Sequence, residues 1–171
     1  MPLTTCEVSF LQQNHVPLLV TAFAELGWDK PASLYQQYLA EQENHQRCVW
    51  VALQEGSFAG YITLKWQSEY APFHQQYIPE ISDFNVLPTF RKQGIGSKLL
   101  DLAEAEARKK STLIGIGVGL YADYGDAQRL YVRRGYVPDG LGITYNYQSI
   151  DPGNTARLDD DLVLWFRKEI I

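Results

Sequence analysis

The segment FRKQGIGSKLL, residues 90–100, combines an arginine, a lysine and two glycines ahead of an apolar helical run. Pro88 closes a predicted strand and Ile95 opens a predicted helix, so the first N–H groups of that helix have no partner inside it. Such a helix start attracts anions, and Arg91 and Lys92 add positive charge. The residues therefore favour a diphosphate ligand; a basic loop–helix junction without a ligand is the alternative.

Two familiar phosphate-binding motifs do not fit this segment. A dinucleotide-binding fingerprint requires a third small residue where Leu99 stands. A Walker loop requires Gly-Lys followed by Ser or Thr, and the segment has no such sequence. The spacing excludes both motifs.

The hexapeptide RKQGIG resembles the Arg/Gln-x-x-Gly-x-Gly/Ala signature of the GNAT superfamily of N-acetyltransferases. In that superfamily the signature binds the pyrophosphate of coenzyme A. Residues 126–140, DAQRLYVRRGYVPDG, are similar to the superfamily's downstream motif. The matching positions are Ala127, Leu130, Tyr131, Gly135 and Tyr136. One departure is Tyr124, which stands where many members carry asparagine.

The resemblance implies an acetyl-CoA-dependent N-acetyltransferase that transfers an acetyl group directly to a primary amine of a small molecule or peptide. A non-catalytic acyl-CoA-binding module or sensor is the alternative. The implied cofactor-binding residues are Asn85, Val86, Arg91, Lys92, Gln93, Gly94, Ile95, Gly96 and Ser97. Backbone amides near Asn85 and Val86 are expected to orient the acetyl carbonyl.

Acetyl transfer to an amine involves two proton transfers. An ammonium of pKa about 10 must lose a proton before attack, and a leaving thiolate of pKa about 8 to 9 benefits from gaining one. The resemblance implies Tyr131 as general acid; a core aromatic residue is the other interpretation. Glu80, eleven residues before Arg91, is the implied base. Asp83 or a water molecule is the alternative base, and strict strand alternation puts Glu80 and Asp83 on opposite faces.

The acceptor site is expected from GWDKP, residues 27–31, and SEYAPFHQQY, residues 68–77, which occupy the usual acceptor positions of the superfamily. The residues predicted to line it are Trp28, Glu69, Tyr70, His74 and Asp83. Surface exposure explains the presence of each of these residues nearly as well.

In LIGIGVGL, residues 113–120, glycines stand at alternate positions, so one face of the predicted strand carries no side chains. The cofactor or a packed helix could approach that face closely.

A fold that contains both helices and strands must position these segments. Hydrophobic periodicity predicts about seven strands and four helices, with antiparallel strands first and one parallel strand–helix–strand crossover over residues 80–120. The predicted strands are 5–10, 47–54, 58–66, 80–87, 112–120, 143–150 and 162–166, and the predicted helices begin near 16, 33, 95 and 126. We expect an α+β class, a three-layer α/β/α GNAT-like fold with one splayed parallel pair, in a single domain spanning residues 1–171.

The composition of the chain limits the classes of binding partner that we expect. The net charge of -5, from 15 basic and 20 acidic side chains, argues against nucleic-acid binding. No apolar run is long enough for a membrane helix, so we expect no membrane partner and a cytoplasmic protein. The two cysteines form no C-x-x-C pair and the three histidines lack metal spacing, so no metal is predicted. The oligomeric state is expected to be a monomer or a homodimer.

Overall fold

The computed structural model describes residues 5–171 as a mixed α/β chain. The strands are β1 (Cys6–Phe10), β2 (Arg47–Gln54), β3 (Ser57–Lys65), β4 (Glu80–Val86), β5 (Leu113–Gly119), β6 (Val137–Tyr145), β7 (Gln148–Ser149) and β8 (Leu162–Glu169). The α-helices are α1 (Val16–Glu25), α2 (Ala32–Glu43), α3 (Ala71–Gln75), α4 (Ile95–Ala107) and α5 (Gly125–Arg133). This described part thus has one strand and one helix more than predicted.

The strands follow the order β1-β2-β3-β4-β5-β8-β6-β7 in one mixed sheet. Antiparallel pairs join β1 to β2, β2 to β3, β5 to β8, and β6 to both β7 and β8. Strands β4 and β5 pair in parallel, through Glu80 with Gly115 and Ile81 with Ile116. The predicted α+β class, with a mostly antiparallel sheet and one parallel crossover, is confirmed.

Contacts between residues group the chain into two compact units. The first unit comprises the described residues up to Lys65 together with Asp83–Ala105. The second unit comprises Trp66–Ser82 and Glu106–Ile171. The single domain expected from the sequence stays a prediction.

The first unit is built in three layers. Phe23 of α1 lies edge-on to Tyr61 of β3, with ring centroids 5.9 Å apart, and Tyr61 donates a hydrogen bond to Asp83 of β4. The next residue, Phe84, lies on the other side of β4, against Gly96 at the start of α4. The strands of this unit therefore lie between α1 and α2 on one face and α4 on the other.

Strand β4 contains one residue with a left-handed backbone, Asp83, whose φ is 57°. Such a conformation costs a non-glycine residue of order 1–3 kcal/mol, although aspartate tolerates it better than most. Beyond it, Asp83 and Asn85 share one face, since their side chains are hydrogen-bonded at 2.8 Å. Strict alternation does not extend across this residue, so the prediction that Glu80 and Asp83 lie on opposite faces no longer follows from it.

Aromatic side chains fill the bare face of β5 in the second unit. A Cβ built on Gly115 would lie 2.1 Å from the Phe73 ring, and one on Gly117 would lie 2.7 Å from Val163. At Gly119 the same construction meets the Tyr124 ring at 2.4 Å. The alternate glycines thus permit close side-chain packing, an occupant that the sequence did not identify.

Two elements differ from the sequence-based assignments. Residues 71–75, predicted as loop, form α3, because Pro72 stands in the first turn, where its missing N–H costs nothing. The predicted strand 143–150 is a hairpin of β6 and β7 that turns at Asn146 and Tyr147, with φ of 48° and 65°. Two successive left-handed residues give the tight turn that suits the twist of a β-hairpin.

We predict that Gly115→Ala lowers the free energy of unfolding by about 1–3 kcal/mol, because the added methyl overlaps the Phe73 ring. The matched control is Gly125→Ala at the start of α5, where a Cβ would meet nothing within 4 Å. That control should be neutral or stabilising by up to about 1 kcal/mol. Urea unfolding measures both variants, and equal stabilities would contradict the packing described for β5.

Candidate functional site

The turn before α4 is an exposed anion cradle in the first unit. Lys92 and Gly94 take left-handed φ values of 60° and 83°, and the helix begins with Lys98 N–H donating to the Gly94 carbonyl at 3.0 Å. The first N–H groups of the helix have no partner within it and carry the positive end of its dipole. A Cβ placed on Gly94 would meet nothing within 4 Å. The turn therefore has the charge, donors and open space that a diphosphate requires.

Side chains of this turn also brace it. Arg91 donates from Nε to the Val86 carbonyl at 3.0 Å. Gln93 donates to the Thr89 carbonyl at 3.1 Å and accepts a hydrogen bond from Gln54 at 2.9 Å. The guanidinium of Arg91 is thereby held at the end of β4.

The two glycines of the turn have different positions. A Cβ on Gly96 would lie 3.4 Å from Phe84 and 3.6 Å from Val86, so this glycine sets how closely α4 approaches β4. Gly94 instead supplies the left-handed conformation. Ile95, between them, is buried, so only its backbone is available to a ligand.

Asp83 is surrounded by donors in the first unit. Lys30 forms a salt bridge to Oδ1 at 2.6 Å, and Asn85 donates to the same oxygen at 2.8 Å. Tyr38 donates to Oδ2 at 2.8 Å, and Tyr61 donates to Oδ2 as well. The carboxylate thus anchors side chains from α2, β3, β4 and the connection between α1 and α2.

Trp28 lies on that same connection. Its ring stacks on Phe23 of α1 at 5.8 Å, and about a third of the residue is exposed. Trp28 and Asp83 therefore both belong to the first unit, whereas the other predicted acceptor residues belong to the second.

Glu80 is buried at the start of β4, in the second unit. The buried hydroxyl of Ser68 donates to Glu80 Oε2 at 2.6 Å and accepts the Tyr70 N–H at 3.0 Å. Because its single proton is directed at Glu80, Ser68 orients the carboxylate that the sequence predicts as the base.

A shallow depression of about 420 Å³ lies beside Ser68. It is lined by Gln67, Ser68, Glu69, Ala71, His74 and Gln75, and His74 Nδ1 lies 3.1 Å from the Ser68 carbonyl. The fold thereby brings the predicted acceptor residues Glu69 and His74 together. Tyr70 lies elsewhere: it is buried against Trp165, with ring centroids 4.2 Å apart, and donates to Asp139 at 2.6 Å.

Tyr131 is buried on α5, with its ring centroid 5.9 Å from that of Tyr136. Burial raises the pKa of the Tyr131 hydroxyl, so it stays protonated at neutral pH, as a general acid must be. Tyr124, where many family members carry asparagine, covers Gly119 with its ring and donates to Asp160 at 2.9 Å. Its hydroxyl is therefore used within the second unit.

Comparison with known proteins identifies the family. Residues 17–136 match the family described as "Acetyltransferase (GNAT) family", a span that contains the glycine turn and all five matching positions of the downstream motif. The chain belongs to the GNAT acetyltransferase family. Members of this family use acetyl-CoA.

Individual relatives agree with this assignment. The acetyltransferase is 39% identical over 87 residues to the aminoalkylphosphonate N-acetyltransferase of Salmonella typhimurium, covering 50% of this chain and 54% of that protein. It thus spans about half the length of this curated relative. A Staphylococcus aureus N-acetyltransferase structure is 17% identical with a TM-score of 0.72, covering 98% of this chain and all of that one.

A Salmonella typhimurium acetyltransferase whose structure includes its cofactor acetyl-CoA is also similar, at 17% identity and a TM-score of 0.68. The match covers 97% of this chain and 94% of that chain. At these identities, the two structural likenesses establish a shared fold.

Two features are absent from residues 5–171, a cluster of metal ligands and a membrane-spanning helix. No three His, Cys, Asp or Glu side chains of this part gather as potential metal ligands. Within the same residues, no helix has both the length and the apolar character needed to span a bilayer.

Several residues at these sites were not predicted from the sequence. They are Lys30, Tyr38, Tyr61 and Ser68. Lys30 falls inside the GWDKP stretch, but Trp28 is the residue predicted from that stretch. Tyr38 fits an apolar helical stripe and Tyr61 a buried strand, so no spacing pattern separates either from an ordinary core tyrosine.

Proposed function

We propose that this acetyltransferase is an acetyl-CoA-dependent enzyme that acetylates a primary amine of a small molecule or a peptide. The observation that carries the proposal is the left-handed, exposed turn at the start of α4, between Arg91 and Ser97. In GNAT proteins a signature of this type grips the pyrophosphate of coenzyme A. Acetyl-CoA supplies the acetyl group as an activated thioester.

The residues proposed to hold coenzyme A act in three ways. Gln93, Gly94, Ile95, Gly96 and Ser97 present backbone N–H groups, while Arg91 and Lys92 add charge. Backbone amides near Asn85 and Val86 orient the acetyl carbonyl. Most of these contacts use the backbone, so they depend on the conformation of the turn more than on its side chains.

Proton transfers are assigned to Glu80 and Tyr131. Glu80 accepts the proton that the acceptor ammonium loses, and Tyr131 donates one to the departing sulfur. Asp83 is less suited to act as base, because its two oxygens already accept hydrogen bonds from Lys30, Tyr38, Tyr61 and Asn85. Glu80 is fixed by Ser68 and is the preferred base.

The acceptor is proposed to be an amine, with Trp28, Glu69, His74 and Asp83 as candidate contacts. Glu69 and His74 line one depression, which gives them an open surface for a polar acceptor. The curated relative is named for aminoalkylphosphonates, so an aminoalkylphosphonate belongs in the acceptor panel beside polyamines and peptides with free N-termini. Release of free thiol identifies the accepted amines and separates an enzyme from a binding module.

Acetyl-CoA at about 100 times its dissociation constant should raise the free energy of unfolding by about 2.7 kcal/mol. Arg91→Ala should weaken that binding by about 10- to 100-fold, because it removes one charge-assisted contact. Arg157→Ala, at a side chain that is 84% exposed, is the control and should bind normally. Thermal and urea unfolding with and without acetyl-CoA measure the effect, and an unchanged stability would refute acetyl-CoA binding.

Tyr131→Phe should slow turnover by about 10²- to 10⁴-fold, since it removes the proposed acid. Tyr136→Phe removes a hydroxyl from a buried neighbour and should leave turnover within a few-fold of the parent protein. Steady-state thiol release is measured for both variants, with acetyl-CoA affinity as a check on folding. Equal turnover in the two variants would rule out Tyr131 as the acid.

Glu80→Gln should remove the acidic limb of the pH–rate profile, because that limb reports protonation of the base and glutamine has no carboxylate to protonate. Glu7→Gln provides the control, as Glu7 is an exposed carboxylate of β1 that has no proposed role in the site. The pH–rate profile of this control variant should keep its acidic limb. Retention of the limb in Glu80→Gln would transfer the role of base to Asp83 or water.

A further inference from the structure

The Lys30 ammonium is held in a small polar and aromatic enclosure in the first unit. Its Nζ donates to Asp83 Oδ1 at 2.6 Å and to the Tyr61 hydroxyl at 2.9 Å. The same nitrogen lies 5.3 Å from the Phe23 ring centroid and 5.5 Å from that of Tyr61. We call Phe23, Tyr38, Tyr61 and Asp83 the ammonium cage. Its groups, a carboxylate, hydroxyls and π faces, are those that recognise a compact cation.

The cage is organised by contacts that do not involve Lys30. Tyr38 and Asn85 each donate to the Asp83 carboxylate at 2.8 Å, and Tyr61 donates to it too. Burial, followed by the charge of Asp83, raises the pKa of both Tyr38 and Tyr61. Their hydroxyls therefore remain protonated donors that fix the carboxylate in place.

Lys30 fills this cage through a flexible side chain. It lies between α1 and α2, and its ammonium reaches Asp83 through an aliphatic chain. The side chains of Lys30 and Asp83 are 20% and 16% exposed, so part of the ion pair faces solvent. This exposed part is the side from which another ammonium would approach Asp83.

A further buried hydroxyl lies beside the cage, on Tyr35. The ring of Tyr35 lies 5.8 Å from that of Tyr61. Burial raises the pKa of Tyr35, the neighbouring Tyr61 hydroxyl lowers it, and the Asp83 charge raises it. Tyr35 thus adds a protonated hydroxyl to the surroundings of Tyr61.

We propose that the ammonium cage is a binding site for a primary ammonium group, that Lys30 fills it in the unliganded chain, and that the acceptor's ammonium displaces Lys30 to bind there. The final part rests on the proposed function, whereas binding of an ammonium does not. Asp83 is then a recognition residue for the acceptor, and Lys30 is an internal competitor.

The test replaces the Lys30 ammonium with a free one. Lys30→Ala removes three methylene groups and the ammonium, and n-propylammonium supplies the same atoms as a separate molecule. Thermal unfolding is followed without acetyl-CoA as n-propylammonium chloride is added. Sodium chloride at equal ionic strength and n-propanol are the solute controls. Lys30→Met, which fills the cage with a neutral chain, and Lys30→Ala/Asp83→Asn are the protein controls.

We expect a saturable rise in the melting temperature of Lys30→Ala with n-propylammonium and little change with either control solute. Lys30→Met and the double variant should respond no more than the parent protein. An equal response in Lys30→Ala and the parent protein overturns the site. If Lys30→Ala is unfolded at 25 °C, n-propylammonium must restore its folded signal saturably; failure to do so also overturns the site.

Displacement by the acceptor is tested separately, by kinetics with a small primary amine that the enzyme accepts. Because the internal competitor is gone, KM for that amine should fall about 10-fold or more in Lys30→Ala. An unchanged or higher KM overturns the use of this cage by the acceptor. Failure of the proposed acetyl transfer is distinguishable, since it abolishes thiol release while leaving the n-propylammonium response intact.

Discussion

The Asp83 carboxylate is the interaction on which the first unit depends. It accepts hydrogen bonds from α2, β3, β4 and the connection between α1 and α2, so one charged group ties those elements together. The left-handed backbone at Asp83 separates this stretch from the start of β4. A strained residue in a strand persists only when its surroundings over-determine it, and the converging donors do so.

The second unit is organised by packing instead. Glycines in β5 make room for Phe73 and Tyr124, so aromatic rings lie almost against the strand backbone. Tyr70 stacks on Trp165 in the same core. Ser68, at the edge of that core, orients Glu80 through a buried hydroxyl. An apolar core thus supports one buried carboxylate, the group that we propose as the base.

Local patterns predicted those parts of the fold that local physics controls. The bounds of β2 and the start of α4 at Ile95 follow from strand periodicity and from a glycine-containing helix start, and both are as predicted. The hairpin turn at Asn146 and Tyr147 was missed because only one of its residues is a usual turn former. The short helix at residues 71–75 was missed because Pro72 indicates a loop unless it stands in the first turn of a helix.

The sequence by itself determined the family, because both family motifs are contiguous segments. The turn that we propose to hold the cofactor is one of them. The sequence also determined the strand–helix–strand order around that turn. Only the tertiary structure decided what surrounds each carboxylate. Lys30, Tyr38 and Tyr61 are distant from Asp83 in the chain, and they meet it because α1, α2 and β3 pack beside β4. Contacts between side chains far apart in sequence leave no periodic signal, so the cage became visible only in the folded chain.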